Sequence, residues 1–479
     1  MTLPKVTLTQ IDGALGVRSA LTTNVAVVGC CSSGSVAKPA AYTRSSSLRA
    51  VFGEGPAVEM ACHLIDRFGL TVVMVRADTS TDGVQGTTDD DGVTGTCVVT
   101  SQVGAKPYDA YEVVVTVQTG GTVGTAGIVL VPSFDGGRTT AAPIAIGTST
   151  TISIGGGVGF VLAAGTLVAG DSWTVTTTAP MWDSTDIGDA LTALGSNITP
   201  WDGAVIVGDL TGTLFDAVDA KIAGLAAAGK YHWWIGGFRA PNAGESDATY
   251  QAAFVTALGA KSTIYSALCS GSERWTSSIS GRVYTRPALF ALAPRAASIG
   301  PEVDGAAILL GSLPGVTLRD DAGNLLHHDE AENPGLDDAR ASTLRTWEGY
   351  PGVYPTNIRI FSAPGSDFQL LQHRRVMNIA LQVTYSESAL ILNVPVRVSK
   401  TTGKILEVDR KRIENRINAQ LTSTLLNTKR ASDAYCIVAK DDDLLSGDPL
   451  TITTRVVPLA YPKEISASVG FINPALQAV

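Results

Sequence analysis

Residues 398–424 read VSKTTGKILEVDRKRIENRINAQLTST, and this stretch decides how the C-terminal part of the chain folds. After a turn at residues 401–403, apolar residues recur at four-residue steps, at Ile413, Ile417, Leu421 and Leu425. Positions four apart lie on one face of an α-helix, so the spacing predicts a helix with one buried side. Between residues 367–380 and this helix lies an apolar run that we interpret as a strand. Strand-like segments follow the helix. We therefore expect an α+β domain.

Both ends of the chain carry alternating apolar residues. The last run places Ile465, Ala467, Val469 and Phe471 on one side of an extended chain, and Val6 and Leu8 alternate in the same way near the start. A strand with one apolar face at a chain end needs a sheet to join. We interpret both ends as arms that pair with a neighbouring subunit; for the first residues, a frayed terminus is the alternative.

The composition indicates a folded, β-rich chain of several domains. At 479 residues the chain is too long for one ordinary core, and its 45% hydrophobic residues are too many for disorder. The 50 glycines point to many turns. A net charge of −9 without a basic block argues against a nucleic-acid partner. No apolar run approaches the roughly 20 residues that span a bilayer, and no signal peptide is evident, so we expect no stable membrane insertion.

The first half alternates strands and helices around an insertion. A strand at residues 24–29, a helix beginning near Pro56 and a strand at residues 71–76 predict a right-handed βαβ unit. Residues 79–180 instead hold closely spaced strands with glycine turns, which predicts an inserted β-sandwich-like outer domain. Strand–helix alternation then returns. The expected organisation is an arm at 1–20, a discontinuous α/β domain at 21–78 with 181–345, the insert, and a C-terminal domain at 346–479.

No motif predicts a catalytic, cofactor or metal site. Residues 29–35 have the glycine spacing of a phosphate loop but lack the Lys that must follow its second glycine. The cluster His327, His328, Asp329 and Glu330 has adjacent side chains, which seldom converge on one ion, so we interpret residues 325–339 as an exposed loop. The six cysteines form no metal-binding pattern, and we expect them buried in cores; cross-linking between subunits is the alternative.

Several motifs together resemble contractile bacteriophage tail sheath proteins over the whole chain. They are the βαβ unit with VFGEGP at residues 51–56, the inserted β module, NIRI at 357–360, GSDF at 365–368, RVMN at 375–378 and the helix after Gly403. The resemblance implies a non-enzymatic structural subunit without cofactors. Such a subunit polymerises helically around a tail tube, and contraction drives the tube through the host envelope.

The resemblance also implies partners and a location. The partners would be further copies of the chain, linked by exchanged arm strands, with the tail tube, baseplate and tail terminator proteins. The location would be a virion tail assembled in the host cytoplasm, and the C-terminal domain would face the tube. A phage-tail-like bacterial injection device, a non-contractile tail or baseplate component, and a glycan-binding or carbohydrate-active protein stay open as alternatives. The last would need an exposed aromatic platform in the insert, where Trp173 is the sole Trp.

The cations around the C-terminal helix are the candidates for contact with the tube. They are Lys404, Arg410, Lys411, Arg412 and Arg416. Glu407, Asp409 and Glu414 are interleaved with them. An ordinary solvated helix face, on which these carboxylates offset the like charges, is an equal alternative.

Overall fold

The structure is a computed structural model that describes residues 24–242, 244–320 and 322–470. The chain divides into two compact units, one ending at Leu392 and one beginning at Asn393, which are described separately. The expected arm positions Val6, Leu8 and Phe471 lie outside the described residues. The four segments proposed from the sequence stay a prediction as a division into domains.

The first unit begins with the predicted βαβ arrangement. Its elements are β1 Val25–Gly29, β2 Ala40–Tyr42, α1 Ser45–Phe52, α2 Pro56–Phe68 and β3 Val72–Arg76. Strands β1 and β3 pair in parallel, so the βαβ prediction is confirmed. Helix α2 begins at a proline and ends at Gly69, whose φ of 65° is left-handed, as is usual at helix ends.

Residues 99–176 are all-β, as predicted. The strands are β4 Val99–Ser101, β5 Glu112–Thr119, β6 Gly121–Thr122, β7 Val129–Ser133, β8 Ile144–Ala145, β9 Thr151–Gly155, β10 Val158–Leu162, β11 Thr166–Leu167 and β12 Ser172–Thr176. They form sheets in the orders β12-β5-β7-β8, β4-β10-β9 and β11-β6. Trp173 of the first sheet and Phe160 of the second are buried, with ring centroids 5.7 Å apart. Trp173 is thus a core residue rather than part of an exposed platform.

After the insert the chain returns to the sheet that β1 started. The elements are α3 Ser184–Gly195, β13 Gly203–Asp209, α4 Gly212–Ala227, β14 Trp233–Gly237, α5 Asp247–Leu258 and β15 Ser266–Cys269. The sheet order is β15-β14-β13-β1-β3-β2, parallel except for β2 at the edge. Helix α2 packs on one face with residues Val25 and Val27 of β1, and α3 packs on the other with Ala26 and Val28. The predicted strand–helix alternation is therefore confirmed.

Hairpins and a long helix complete the first unit. The elements are β16 Ser272–Thr276, β17 Val283–Pro287, α6 Leu289–Ser298, a 3-10 turn Ile308–Leu310, β18 Val316–Thr317, β19 Leu344–Trp347, β20 Tyr350–Pro355 and α7 Leu371–Ala389. The expected strand after residue 380 is wrong, because α7 continues through it to Ala389. The β-branched and aromatic residues at 383–385 favour a strand locally, but the helix buries residues at three- and four-residue spacing, including Val376, Ile379 and Ala380.

Residues 325–339 form a loop, as predicted, but the expectation that the loop is exposed is wrong for its middle part. His328 and Asp329 are buried. The Asp329 carboxylate accepts hydrogen bonds from the backbone N–H of Ala331 and from both the N–H and the hydroxyl of Thr346. These bonds tie the segment to β19, so its polar residues have partners inside the protein instead of in solvent.

A buried ion pair joins the insert to the β16–β17 hairpin. The Arg286 guanidinium donates to both oxygens of Asp109 at 2.6 Å, and the two side chains are only 4% and 2% exposed. The N–H of Val283 donates to Asp135 of the insert. Buried polar contacts thus attach the insert to the rest of the first unit, in addition to the two chain segments that lead into and out of the insert.

The second unit contains the predicted C-terminal helix. Its elements are α8 Glu407–Leu421, a π-helical turn Thr422–Leu426, β21 Asp433–Val438 and β22 Ile452–Val457. Ile413, Ile417, Leu421 and Leu425 are all buried, so the predicted apolar face is confirmed.

The six cysteines are all buried and unpaired, as expected of core thiols. In the part of the chain that the structure describes, no helix is both long enough and apolar enough to cross a membrane.

His63 makes the first unit sensitive to acid. Its ring packs against Phe68 and Trp275, and burial, with the nearby Arg67, lowers its pKa from 6.5 to about 4. Below pH 6.5 the unfolded chain therefore binds more protons than the folded one, so stability falls as the pH drops towards about 4. The free energy of unfolding that is lost through His63 amounts to about 3 kcal/mol at most.

The variant His63→Phe keeps the aromatic contacts but cannot titrate. We expect its melting temperature to fall less than that of wild type between about pH 7.5 and about pH 5. Thermal unfolding of both proteins across this range measures the difference. Equal losses would contradict the assignment of the acid sensitivity to His63.

Candidate functional site

The second unit is built around the two-stranded β21–β22 hairpin. Side chains alternate along β21, so that Ala434, Cys436 and Val438 are buried, and α8 is the helix that contacts this strand. The opposite face is partly apolar, with Tyr435 37%, Ile437 46% and Val457 47% exposed. A lone two-stranded sheet is marginal in water, so this hairpin depends on α8 for its buried side.

The helix α8 also satisfies the outer edge of β21. Asn418 accepts a hydrogen bond from the Cys436 N–H at 2.6 Å and donates one to its carbonyl at 3.4 Å, as a neighbouring strand would. Glu414 accepts from the Val438 N–H at 3.0 Å. These side chains occupy the edge of β21, so a strand added to this sheet would have to pair along β22.

The register identifies the outward groups of β22. The Ala439 N–H donates to the Thr451 carbonyl, which makes these residues a hydrogen-bonded pair. Bonded pairs recur every second residue in an antiparallel ladder, so residues 453 and 455 also face β21. The N–H of Val456 therefore points away from β21, towards the outer edge of the hairpin.

The predicted C-terminal arm lies after β22. Residues 462–470 form no strand within this chain's described part, and Ile465 and Val469 are 79% and 100% exposed. Ala467 is exposed as well. Of the six predicted arm positions, the structure thus describes three, and all three expose their side chains; Val6, Leu8 and Phe471 lie outside it.

The predicted tube-contact cations are paired with carboxylates of their own unit. Lys404 binds Asp441 at 2.8 Å, and Lys411 binds Glu414 at 2.6 Å. Arg410 bridges Glu407 and Glu414, and its side chain is 13% exposed. Arg412 lies 3.6 Å from Asp409 and is 58% exposed, and Arg416 is exposed on the same helix. Four of these cations lie along α8 and Lys404 precedes it, and Arg410 is mostly buried in internal contacts.

Hydrogen bonding fixes the charge of the carboxylates beneath these cations. Burial opposes ionisation of Glu414, but bonds from Lys411 and from the Val438 N–H outweigh it and lower its pKa. Side-chain and backbone bonds from Arg397 lower the pKa of Asp409. Both stay negative at neutral pH, so the helix surface carries paired charges.

The sequence analysis did not identify the residues that cover the edge of β21. Asn418 and Glu414 are polar residues on a helix that otherwise buries Ile413 and Ile417, and nothing in their spacing marks them as partners of a strand. The continuous apolar run A-Y-C-I-V at residues 434–438 was the available signal for strand β21.

The other clusters that the sequence offered are accounted for by internal contacts. His328 Nε2 lies 2.7 Å from Glu330, and His327 Nδ1 lies 2.9 Å from the Ser272 hydroxyl. Among the described residues, no group of three or more His, Cys, Asp or Glu is arranged to hold a metal ion.

Comparison with known proteins gives a family and a fold. Residues 3–359 of the chain match the family model DUF2586, N-terminal domain. No curated protein matches the sequence.

The chain is similar in structure to the helical sheath of the anti-feeding prophage in its contracted state, with TM-score 0.51, 10% identity and coverage of 98% of this chain and 99% of that one. It also matches a sheath tail protein from Listeria innocua, with TM-score 0.45, 12% identity and coverage of 93% and 97%. A sheath tail protein from Desulfitobacterium hafniense matches with TM-score 0.45, 11% identity and coverage of 94% and 100%.

The resemblance expected from the sequence is thus confirmed for the fold, which the chain shares end to end with the anti-feeding prophage sheath subunit. The family follows from the match over residues 3–359. The chain belongs to the DUF2586 family, and its fold is that of a contractile sheath subunit.

Proposed function

We propose that this protein is the structural subunit of a contractile sheath. It polymerises helically around a tail tube and contracts to drive that tube through an envelope. In this role it needs no catalytic group or cofactor, and its partners are other copies of itself, the tube, the baseplate and a terminator protein.

The proposal is carried by two features of the second unit: side chains cap the β21 edge, which directs any added strand to β22, and the segment 462–470 is exposed. β22 has an outward edge, β21 is covered by Asn418 and Glu414, and residues 462–470 extend beyond the hairpin with Ile465 and Val469 exposed. An extended segment from one copy that pairs with the edge of another forms main-chain hydrogen bonds between subunits. The arms at both chain ends are the segments that we assign to this exchange.

Strand exchange between successive copies produces a helical array, because a head-to-tail contact that does not close into a ring repeats without end. The paired strands hold neighbours together while the subunit bodies move past each other. The extended array is a kinetically trapped state, and new contacts between bodies release energy on contraction.

The sheath belongs either to a virion tail assembled in a host cytoplasm or to a bacterial injection device. The anti-feeding prophage sheath, to which this chain is similar in structure, supports either setting. A glycan-binding role has less support, because Trp173, the aromatic residue on which a platform in the insert would depend, is 1% exposed.

Negative-stain electron microscopy of the purified full-length protein tests the proposal. We expect wide hollow tubes that form without other proteins. A stable monomer at high protein concentration, or a closed ring, would contradict it.

The cations Lys411 and Arg412 give a prediction about the tube. They are 54% and 58% exposed, whereas Arg410 is mostly buried, so both of them can reach a partner. We expect K411E/R412E to weaken assembly on purified tubes by about tenfold or more, since each reversal turns attraction into repulsion at an acidic tube surface.

Co-sedimentation with tubes at low and high salt measures this effect. Tube-free polymerisation and melting temperature serve as controls for folding, because the buried Glu414 and Asp409 keep Arg410 and Arg397 as partners in the variant. Unchanged assembly on tubes would assign these cations to an ordinary solvated face.

A further inference from the structure

A cavity of about 300 Å³ lies at the carboxyl edge of the parallel sheet in the first unit. Its walls include Cys30 directly after β1, Asp209 at the end of β13 and Gly237 at the end of β14. Residues 177–181, which return from the insert, and Phe290 of α6 line other sides.

The position of this cavity is where open α/β sheets bind ligands. From β1 the chain crosses to β3 on one side, and it later returns to β13 on the other side of β1. The helices that follow neighbouring strands thus lie on opposite faces and leave a crevice outside the carboxyl ends of the strands. The volume is at the small end of the range for small-molecule sites.

On one side of the cavity, the backbone of Gly208 lies so close to Met181 and Trp182 that only glycine fits. Gly208 has φ 145°, and a Cβ at this position would lie 2.7 Å from Trp182 Nε1 and 3.0 Å from the Met181 sulfur. Trp182 Nε1 donates to the Val207 carbonyl at 2.9 Å, which holds the returning segment across the end of β13.

The charges around the cavity leave one carboxylate in excess. Arg286 is neutralised by Asp109, and Arg239, near Asp209, is neutralised by a two-fold contact with Glu245 at 2.6 and 2.8 Å. Among the described residues, the Asp209 carboxylate has no side-chain hydrogen bond or ion pair, although Arg239 is near enough to attract it. Asp209 lines the cavity and keeps part of its surface exposed. Glu59 in the first turn of α2 compensates the positive end of that helix.

We propose that this cavity binds an ammonium group carried on a compact apolar body, with the Asp209 carboxylate as its counter-ion and Met181, Leu289 and Phe290 around its apolar part. Desolvation by the surrounding protein raises the pKa of Asp209 against the opposing effect of Arg239, and a bound cation would lower this pKa again. The site is independent of the arms and of strand exchange.

The test uses phenethylamine, with 2-phenylethanol and phenylacetate as matched neutral and anionic probes. Binding to the full-length protein at about pH 8, where the carboxylate is ionised and the amine is charged, is followed by ligand-observed NMR and thermal shift. We expect phenethylamine to bind saturably and about tenfold or more tightly than the alcohol, because a hydrogen bond between charged groups is stronger than a neutral one.

Two variants remove different features of the site. Asp209→Asn removes the charge and is expected to weaken amine binding about tenfold or more. Ala179→Leu fills the cavity from a partly exposed position and is expected to weaken all three probes. Asp338→Asn, at an exposed position outside the cavity, is the control and keeps full binding.

Equal affinity for the amine and the alcohol, tighter binding of phenylacetate, or undiminished amine binding in Asp209→Asn would overturn the proposal. The ammonium group has two sources, a free amine or a lysine side chain from a second copy. Amine binding that persists in assembled polymers identifies a free ligand, and binding that is lost on assembly and restored on disassembly identifies the lysine.

Discussion

Replacing Asp109 with Asn is expected to lower the free energy of unfolding of the first unit by about 3–5 kcal/mol, because the change leaves the Arg286 charge buried without a counter-ion. The Arg286 side chain is 4% exposed and makes two hydrogen bonds of 2.6 Å to Asp109. Its guanidinium also stacks over the rings of Tyr284 and Phe290, so it cannot move to solvent without breaking these contacts.

Two further variants separate the ion pair from other effects of mutation. The double variant D109L/R286M removes both charges and is expected to recover most of the loss, since apolar residues of similar volume often replace a buried pair without cost. Asp82→Asn breaks the exposed Lys106–Asp82 pair, whose side chains are 67% and 53% exposed, and is expected to cost less than about 1 kcal/mol.

Urea unfolding monitored by tryptophan fluorescence measures all three variants. A loss below about 1 kcal/mol in Asp109→Asn would show that Arg286 is hydrated or finds another partner, and would remove the ion pair as a link between the insert and the sheet.

The central sheet was predictable because its strands are short apolar runs between turn residues. The segments at β1, β3, β13 and β14 are buried on both faces, so almost every residue in them is apolar and the pattern survives in the sequence. The apolar face of α8 was predictable for a related reason, since four-residue spacing is a local property.

The contacts that hold these elements together were not predictable, because they join residues that are distant in sequence. Asp109 and Arg286 are separated by 177 positions, and neither has a local pattern that marks it as buried. The polar segment around Asp329 looks like a loop because its partner Thr346 lies 17 residues away. The same limit applies to the cations of the C-terminal helix, where the intramolecular partner of Lys404 is Asp441.

The strand-exchange proposal makes its sharpest prediction at Val456. Its N–H points to the outer edge of β22, so a proline there removes a donor that an added strand needs while the bonds between β21 and β22 remain. We expect Val456→Pro to abolish polymerisation, or to raise the protein concentration that it requires by about a hundredfold, since main-chain bonds supply much of the affinity in strand addition.

The matched control is Val456→Thr, which keeps the β-branched shape and the N–H and is expected to polymerise like wild type. Electron microscopy and sedimentation measure the polymers, and circular dichroism of the unassembled protein tests whether the hairpin unit is still folded. Proline is tolerated on an edge strand where its nitrogen faces outward, so the variant is expected to fold. If folded Val456→Pro forms tubes at the wild-type concentration, no strand of a neighbouring copy pairs with β22 during assembly.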